Sequence, residues 1–170
     1  MANNIKSNFD TRLENAKNLA DIFEVVKAAV WESRRASRGG IMLGLANLGN
    51  HPQGFFGAFY PVGTNVIVMN KIPLERIKET RPELYKPYIF HILLHEYLHT
   101  LGYMSESGVR LMVLEITREV FGEEHLATRI AADTTQFFKN LVYPHAAWQP
   151  DDMRLELVEG FDRGSASYIA

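Results

Sequence analysis

Residues 95 to 99 of this 170-residue chain read His-Glu-Tyr-Leu-His. On a helix, residues four apart stand about 40° apart around the axis and one turn along, so His95 and His99 can aim both imidazoles at one ion. Glu96 falls on a neighbouring part of the same surface. There it can take a proton from an activated water without being a ligand. Zinc drives the pKa of such a water towards about 7, and a carboxylate beside it completes the nucleophile. The chain has no cysteine, which excludes disulfides, thiolate zinc sites and cysteine nucleophiles. Any metal must be held by His, Asp or Glu. The residues therefore predict zinc on His95 and His99, with Glu96 as the base of a hydrolase.

Two histidines rarely hold zinc alone, and the turn after them points to a third ligand. Gly102 ends the active helix three residues after His99, and the next helix is expected from Ser107 as its N-cap. The chain thus turns back at once, and Glu106 stands where the return helix comes closest to His99. Glu106 is the first choice on this ground. Glu115 and Glu119, further up the return helix, remain alternatives, as does His125. The bland role for Glu106 is a carboxylate at a helix N-terminus paired with Arg110, worth only about 0.2–0.5 kcal/mol. His91 extends the spacing to i, i+4 and i+8. Three ligands from one straight helix surround an ion poorly, so His91 is read as lining the cleft or backing the ligands. His125, His145, Tyr60, Tyr103 and Tyr143 are candidates for steadying an oxyanion, and His51 is read as a surface residue in a turn.

The elements that must position these groups follow from periodicity. Phe9, Leu13, Ala16, Ala20, Phe23 and Val30 give one apolar stripe, which predicts a long helix over 8–36 stopped by Gly39-Gly40. Lys27 is the one polar residue on that stripe. Arg34, Arg35 and Arg38 near its end suit the helix dipole. Three apolar runs separated by turn residues, 41–48, 55–60 and 65–70, predict strands, the middle one holding a glycine. A short helix is expected over 74–79, the active helix from about Pro87 to Leu101, and two more over 107–121 and 123–140. Phe90, Leu94, Leu98 and Leu101 form a stripe that can anchor the active helix, with the histidines at its border. A final strand is expected over 154–158.

Bulk composition narrows the class. At 46% hydrophobic and 22% charged, the chain matches a globular domain with a real core, and its length fits one such domain. Lys plus Arg number 18 and Asp plus Glu 20, so the net charge is 18 − 20 = −2. Such a chain has no general electrostatic pull on nucleic acid or anionic membranes. The polar N-terminus lacks the apolar region of a signal peptide, and no run approaches a membrane span. A soluble cytoplasmic protein is the expectation, with no nucleic-acid partner and no membrane.

With His95 through Tyr103 in view, the chain resembles a zincin metallopeptidase. That resemblance implies zinc, peptide-bond hydrolysis of a peptide or protein substrate, and an edge strand that aligns the substrate; 65–70 is the expected strand. The stretch is also similar to metzincins, whose third histidine follows six residues after the second; here that position is Ser105. In gluzincins the third ligand is a glutamate on the following helix. The bacterial endoribonucleases of ribosome maturation share a Leu-His-x-x-Gly-Tyr stretch, but this chain has Glu96 for their usual glycine and Ser105 for their third histidine. The expected fold is a single α+β domain spanning 1–170: a long N-terminal helix, a three-to-four-stranded sheet, the active helix and a helical C-terminal half. The alternatives to a peptidase are a metal-dependent hydrolase of RNA or another small substrate, and a non-catalytic zinc-binding module.

Overall fold

The computed structural model describes residues 2–49, 55–139, 141–142 and 154–163. The fold is α+β, as expected. The single N-terminal helix is instead two, α1 (Ala2–Asn15) and α2 (Leu19–Arg34). Asn18 makes the break. It is extended, with φ −152° and ψ 177°, and its side chain accepts the N–H of Asp21 at 2.8 Å. Asp21 in turn accepts the N–H of Lys17 at 2.8 Å. This reciprocal cap starts a new helix inside a continuous apolar stripe, so periodicity alone hides it. The second helix ends at Arg35, a left-handed residue with φ 52°, before Gly39-Gly40 is reached.

The four-stranded sheet runs β3-β4-β1-β6. Strand β1 (Met42–Ala46) is parallel to β4 (Val66–Asn70), with Leu43 opposite Ile67. The antiparallel edges are β3 (Ala58–Phe59) and β6 (Glu156–Leu157). Gly57 divides the middle apolar run, whose first half, β2 (Phe55–Phe56), pairs in parallel with β5 (Leu141–Val142). The expected substrate-aligning strand 65–70 is therefore an interior strand, its backbone already paired with β1 and β3. Asn70 at its end is fully buried and satisfies Leu48 N–H, Ile72 N–H and the Phe56 carbonyl.

One sheet face packs Leu43, Ile67 and Met69 against the helices, where the main core lies. Phe161 and Asp162 are built into that core. Phe161 stacks on Phe23 at 4.2 Å, and the Asp162 carboxylate accepts from Lys27 at 2.7 Å and from Ile41 N–H at 3.0 Å. That buried partner explains the lone polar residue on the α2 stripe.

After α3 (Lys71–Thr80) and a 3-10 turn (Pro82–Leu84), helix α4 (Tyr85–Thr100) carries the His-Glu-Tyr-Leu-His stretch. Every residue from Pro87 to Thr100 is buried. The histidines thus do not sit at the border of a single apolar stripe: α4 is surrounded by α2, α5, α6 and the sheet, and is apolar nearly all round for that reason. Helix α5 (Glu106–Phe121) returns alongside it. The expected helix over 123–140 splits into α6 (Leu126–Ala132) and α7 (Thr134–Phe137) because Asp133 caps the second piece through Gln136 N–H. His51, Tyr143 and His145 lie outside the described residues. Among the described residues, no helix is long and apolar enough to cross a membrane.

Candidate metal centre

The C-terminal end of α4 is closed by a two-bond cap. Tyr103 N–H reaches the Leu98 carbonyl at 3.3 Å and Gly102 N–H the His99 carbonyl at 3.0 Å. Gly102 takes φ +104°, which a side chain would strain. This tight ending turns the chain straight into α5, whose N-cap is Ser105 rather than Ser107: its hydroxyl accepts Gly108 N–H at 3.2 Å. The residue in the metzincin-histidine position is thus a helix cap. Glu106 becomes the first residue of α5, directly beside the end of α4.

There Glu106 meets both histidines. Its carboxylate oxygens lie 3.0 Å from His95 Nε2 and 2.9 Å from His99 Nε2. The two Nε2 atoms are 3.2 Å apart. His95, His99 and Glu106 are a group able to hold a metal ion. A tetrahedral zinc with bonds of about 2.0–2.2 Å sets its donors roughly 3.3–3.6 Å apart, so small side-chain adjustments convert one arrangement into the other.

The other face of His99 decides what lies between these atoms. His99 Nδ1 is 2.7 Å from the Tyr103 carbonyl, which can only accept, so Nδ1 carries a proton. A neutral His99 would then turn a bare Nε2 lone pair towards a carboxylate at 2.9 Å. Such a contact needs a proton or a metal between the two atoms. At His99 burial pulls the pKa down, but the Glu106 hydrogen bond and the Glu96 charge outweigh it, and the imidazole stands above its usual value. Burial pulls His95 down despite Glu106. Burial works to raise Glu106, yet the two imidazoles hold its carboxyl well below the usual range. These opposed directions favour an ionised Glu106 carboxylate between the two imidazoles.

Glu96 is 4% exposed. Burial pushes its carboxyl up to about 8, opposed by the charge of His99, while Glu106 pushes the same way as burial. Glu96 therefore stands within electrostatic reach of the group without belonging to it. A buried carboxyl raised in this way, beside a group able to hold a metal ion, is suited to moving protons.

The remaining candidates fall elsewhere. Nine steps of about 100° carry Glu115 to the far face of α5 from Glu106. Glu115 pairs there with Arg34 at 2.8 Å, and Glu119 takes Ser33 and Arg34. Neither is a ligand of this group. His125 caps α6 through Ala127 N–H, bonds Asp10 at 3.0 Å and stacks on Phe121. It lines a separate hollow of about 440 Å³ between α1 and the start of α4. The Tyr60 hydroxyl is committed to the Thr64 carbonyl. His91 is buried, and its pKa is pulled down to about 3, chiefly by burial and further by His95. Sequence reasoning missed Arg38. Its guanidinium donates to the Thr100 carbonyl at 2.7 Å, to Tyr60 and to Thr64, and its N–H donates to the Tyr97 hydroxyl. It fixes the end of α4 to the β3–β4 turn. Only the tertiary structure brings these groups together.

Comparison of the chain with protein families, with curated proteins and with solved structures gives no match in any of the three.

Proposed function

We propose that the chain is a zinc-dependent hydrolase acting on peptide bonds, with His95, His99 and Glu106 as the protein ligands and Glu96 as the proton-transfer group. The observation that carries this reading is the convergence of two Nε2 atoms and a carboxylate within 3.2 Å, with His99 Nδ1 already held by Tyr103. Two imidazoles and one carboxylate are a zinc donor set, and three protein ligands leave a position for substrate or water. The bound metal would supply Lewis acidity, polarising a carbonyl and acidifying water. Glu96 accepts the proton of the attacking water as its oxygen bonds to the carbonyl carbon. It then delivers that proton to the nitrogen as the C–N bond breaks.

A second reading has one observation in its favour. His95, His99 and Glu96 are 1%, 4% and 4% exposed, and Glu106, with a 29% exposed side chain, is the group's contact with solvent. Such enclosure also suits a metal that only ties α4 to α5. One experiment separates the two. Metal content and hydrolysis of a peptide library are measured for the natural chain and for Glu96→Gln. The proposal expects zinc in both, with hydrolysis lower in the variant by about 10²–10⁴-fold. Zinc in both proteins with hydrolysis in neither assigns the site to structure. Hydrolysis unchanged in Glu96→Gln removes Glu96 from the mechanism.

A further inference from the structure

A hollow of about 240 Å³ opens between α3, the 3-10 turn and the end of α7, and no residue of the metal group lines it. Its floor is apolar, with Ile77, Leu84 and Phe138 all buried. Among the described residues, every charged side chain on its wall is a cation: Arg76, Arg81 and Lys139. Arg81 is engaged by Glu83 at 2.6 Å. Among the described residues, Arg76 and Lys139 take part in no ion pair. On a chain of net charge −2, a wall whose described residues include three cations and no carboxylate is an asymmetry with a chemical meaning. An apolar pocket with a few convergent polar groups fits a small molecule with an apolar body and one complementary head.

From this we propose a second site, for a small carboxylate with an aliphatic tail. The tail lies on Ile77, Leu84 and Phe138, and the head is held by Arg76 and Lys139. A guanidinium matches a carboxylate through two parallel hydrogen bonds, which favours that head over a neutral amide. Size sets the tail. At the roughly 30 Å³ that a water occupies in the liquid, the hollow takes on the order of eight non-hydrogen atoms. Hexanoate has that size.

The test titrates the full chain with hexanoate, with hexanamide and with inorganic phosphate, following backbone amide shifts by NMR. Hexanoate is expected to give saturable shifts on α3, Leu84 and Phe138. It should bind about tenfold more tightly than either control, since one lacks the charge and the other the tail. The double variant Arg76→Gln/Lys139→Gln, changed only at exposed positions, should lose the preference over hexanamide. Equal binding of hexanamide, or of phosphate, overturns the proposal. So do shifts confined to other regions, the lack of any saturable shift, and a double variant that still prefers hexanoate. Each result stands independently of whether the chain binds metal.

Discussion

His99 donates its Nδ1–H to the carbonyl oxygen of Tyr103 at 2.7 Å, across the turn that Gly102 makes. The same turn ends α4 and fixes which nitrogen of His99 faces Glu106 and His95, where a metal ion could be held. A cap and a ligand-orienting hydrogen bond are here one piece of backbone.

Gly102→Ala tests that coupling. A Cβ at φ +104° strains the turn, although nothing lies close enough to clash with it. The Tyr103 carbonyl should shift and His99 lose its fixed orientation. Zinc affinity is expected to fall about 10–100-fold, the usual effect of losing a partner behind a ligand. Circular dichroism should show the helices retained. Affinity equal to that of the natural chain would separate the cap from the site.

The third ligand is tested by single alanine variants. Glu106→Ala should weaken zinc on the order of 100-fold or more, beyond what loss of a supporting partner does. Glu115→Ala and Glu119→Ala should leave it unchanged, because both carboxylates face Arg34 on α2. Competition with a chromophoric chelator measures all three. Loss of zinc in Glu119→Ala, with Glu106→Ala unaffected, would sink the assignment.

Much of this site was legible in the sequence, for identifiable reasons. The i, i+4 spacing of His95 and His99 is a property of any helix, and Gly102 so soon after His99 forced the reversal that brings Glu106 back. Helical phase would also have excluded Glu115. What stayed hidden were contacts between distant segments. Arg38 braces the end of α4 through bonds to Tyr60, Thr64 and Thr100, and no local pattern marks it. The break at Asn18 was missed because capping acts through two hydrogen bonds while the apolar period continues across it. The order of strands placed 65–70 inside the sheet, which a list of apolar runs does not reveal.

His91 predicts a pH dependence. Burial lowers its folded pKa to about 3, whereas the unfolded chain has the ordinary value of 6.5. Below 6.5 the unfolded state binds a proton that the folded state refuses. The contribution is therefore complete above 6.5 and is lost as pH falls towards 3. Where only the unfolded state is protonated, the slope approaches about 1.4 kcal/mol per pH unit. Urea unfolding of the natural chain and of His91→Gln between pH 6 and pH 4 should show the variant with the shallower slope, whatever its stability at neutral pH. Parallel slopes would mean that His91 titrates alike in both states.

Gly44 and Leu155 should be energetically coupled. Strand β1 pairs with β6 at Gly44 and Leu157, and Leu155 crosses directly over Gly44. A Cβ built on Gly44 would lie 2.1 Å from one Leu155 methyl and 2.6 Å from its Cγ, far inside contact distance. Gly44→Ala should therefore push Leu155 out of its place on the sheet, costing about 1–3 kcal/mol as an overpacked position does. Shortening the obstructing side chain should relieve the clash. Leu155→Ala is expected to cost stability in the natural chain, but little or nothing once Gly44→Ala is present. A thermodynamic cycle over the two single variants and the double variant measures the difference, with coupling of about 0.5–3 kcal/mol for residues in contact. Strictly additive losses would show that Leu155 does not rest on Gly44 in solution.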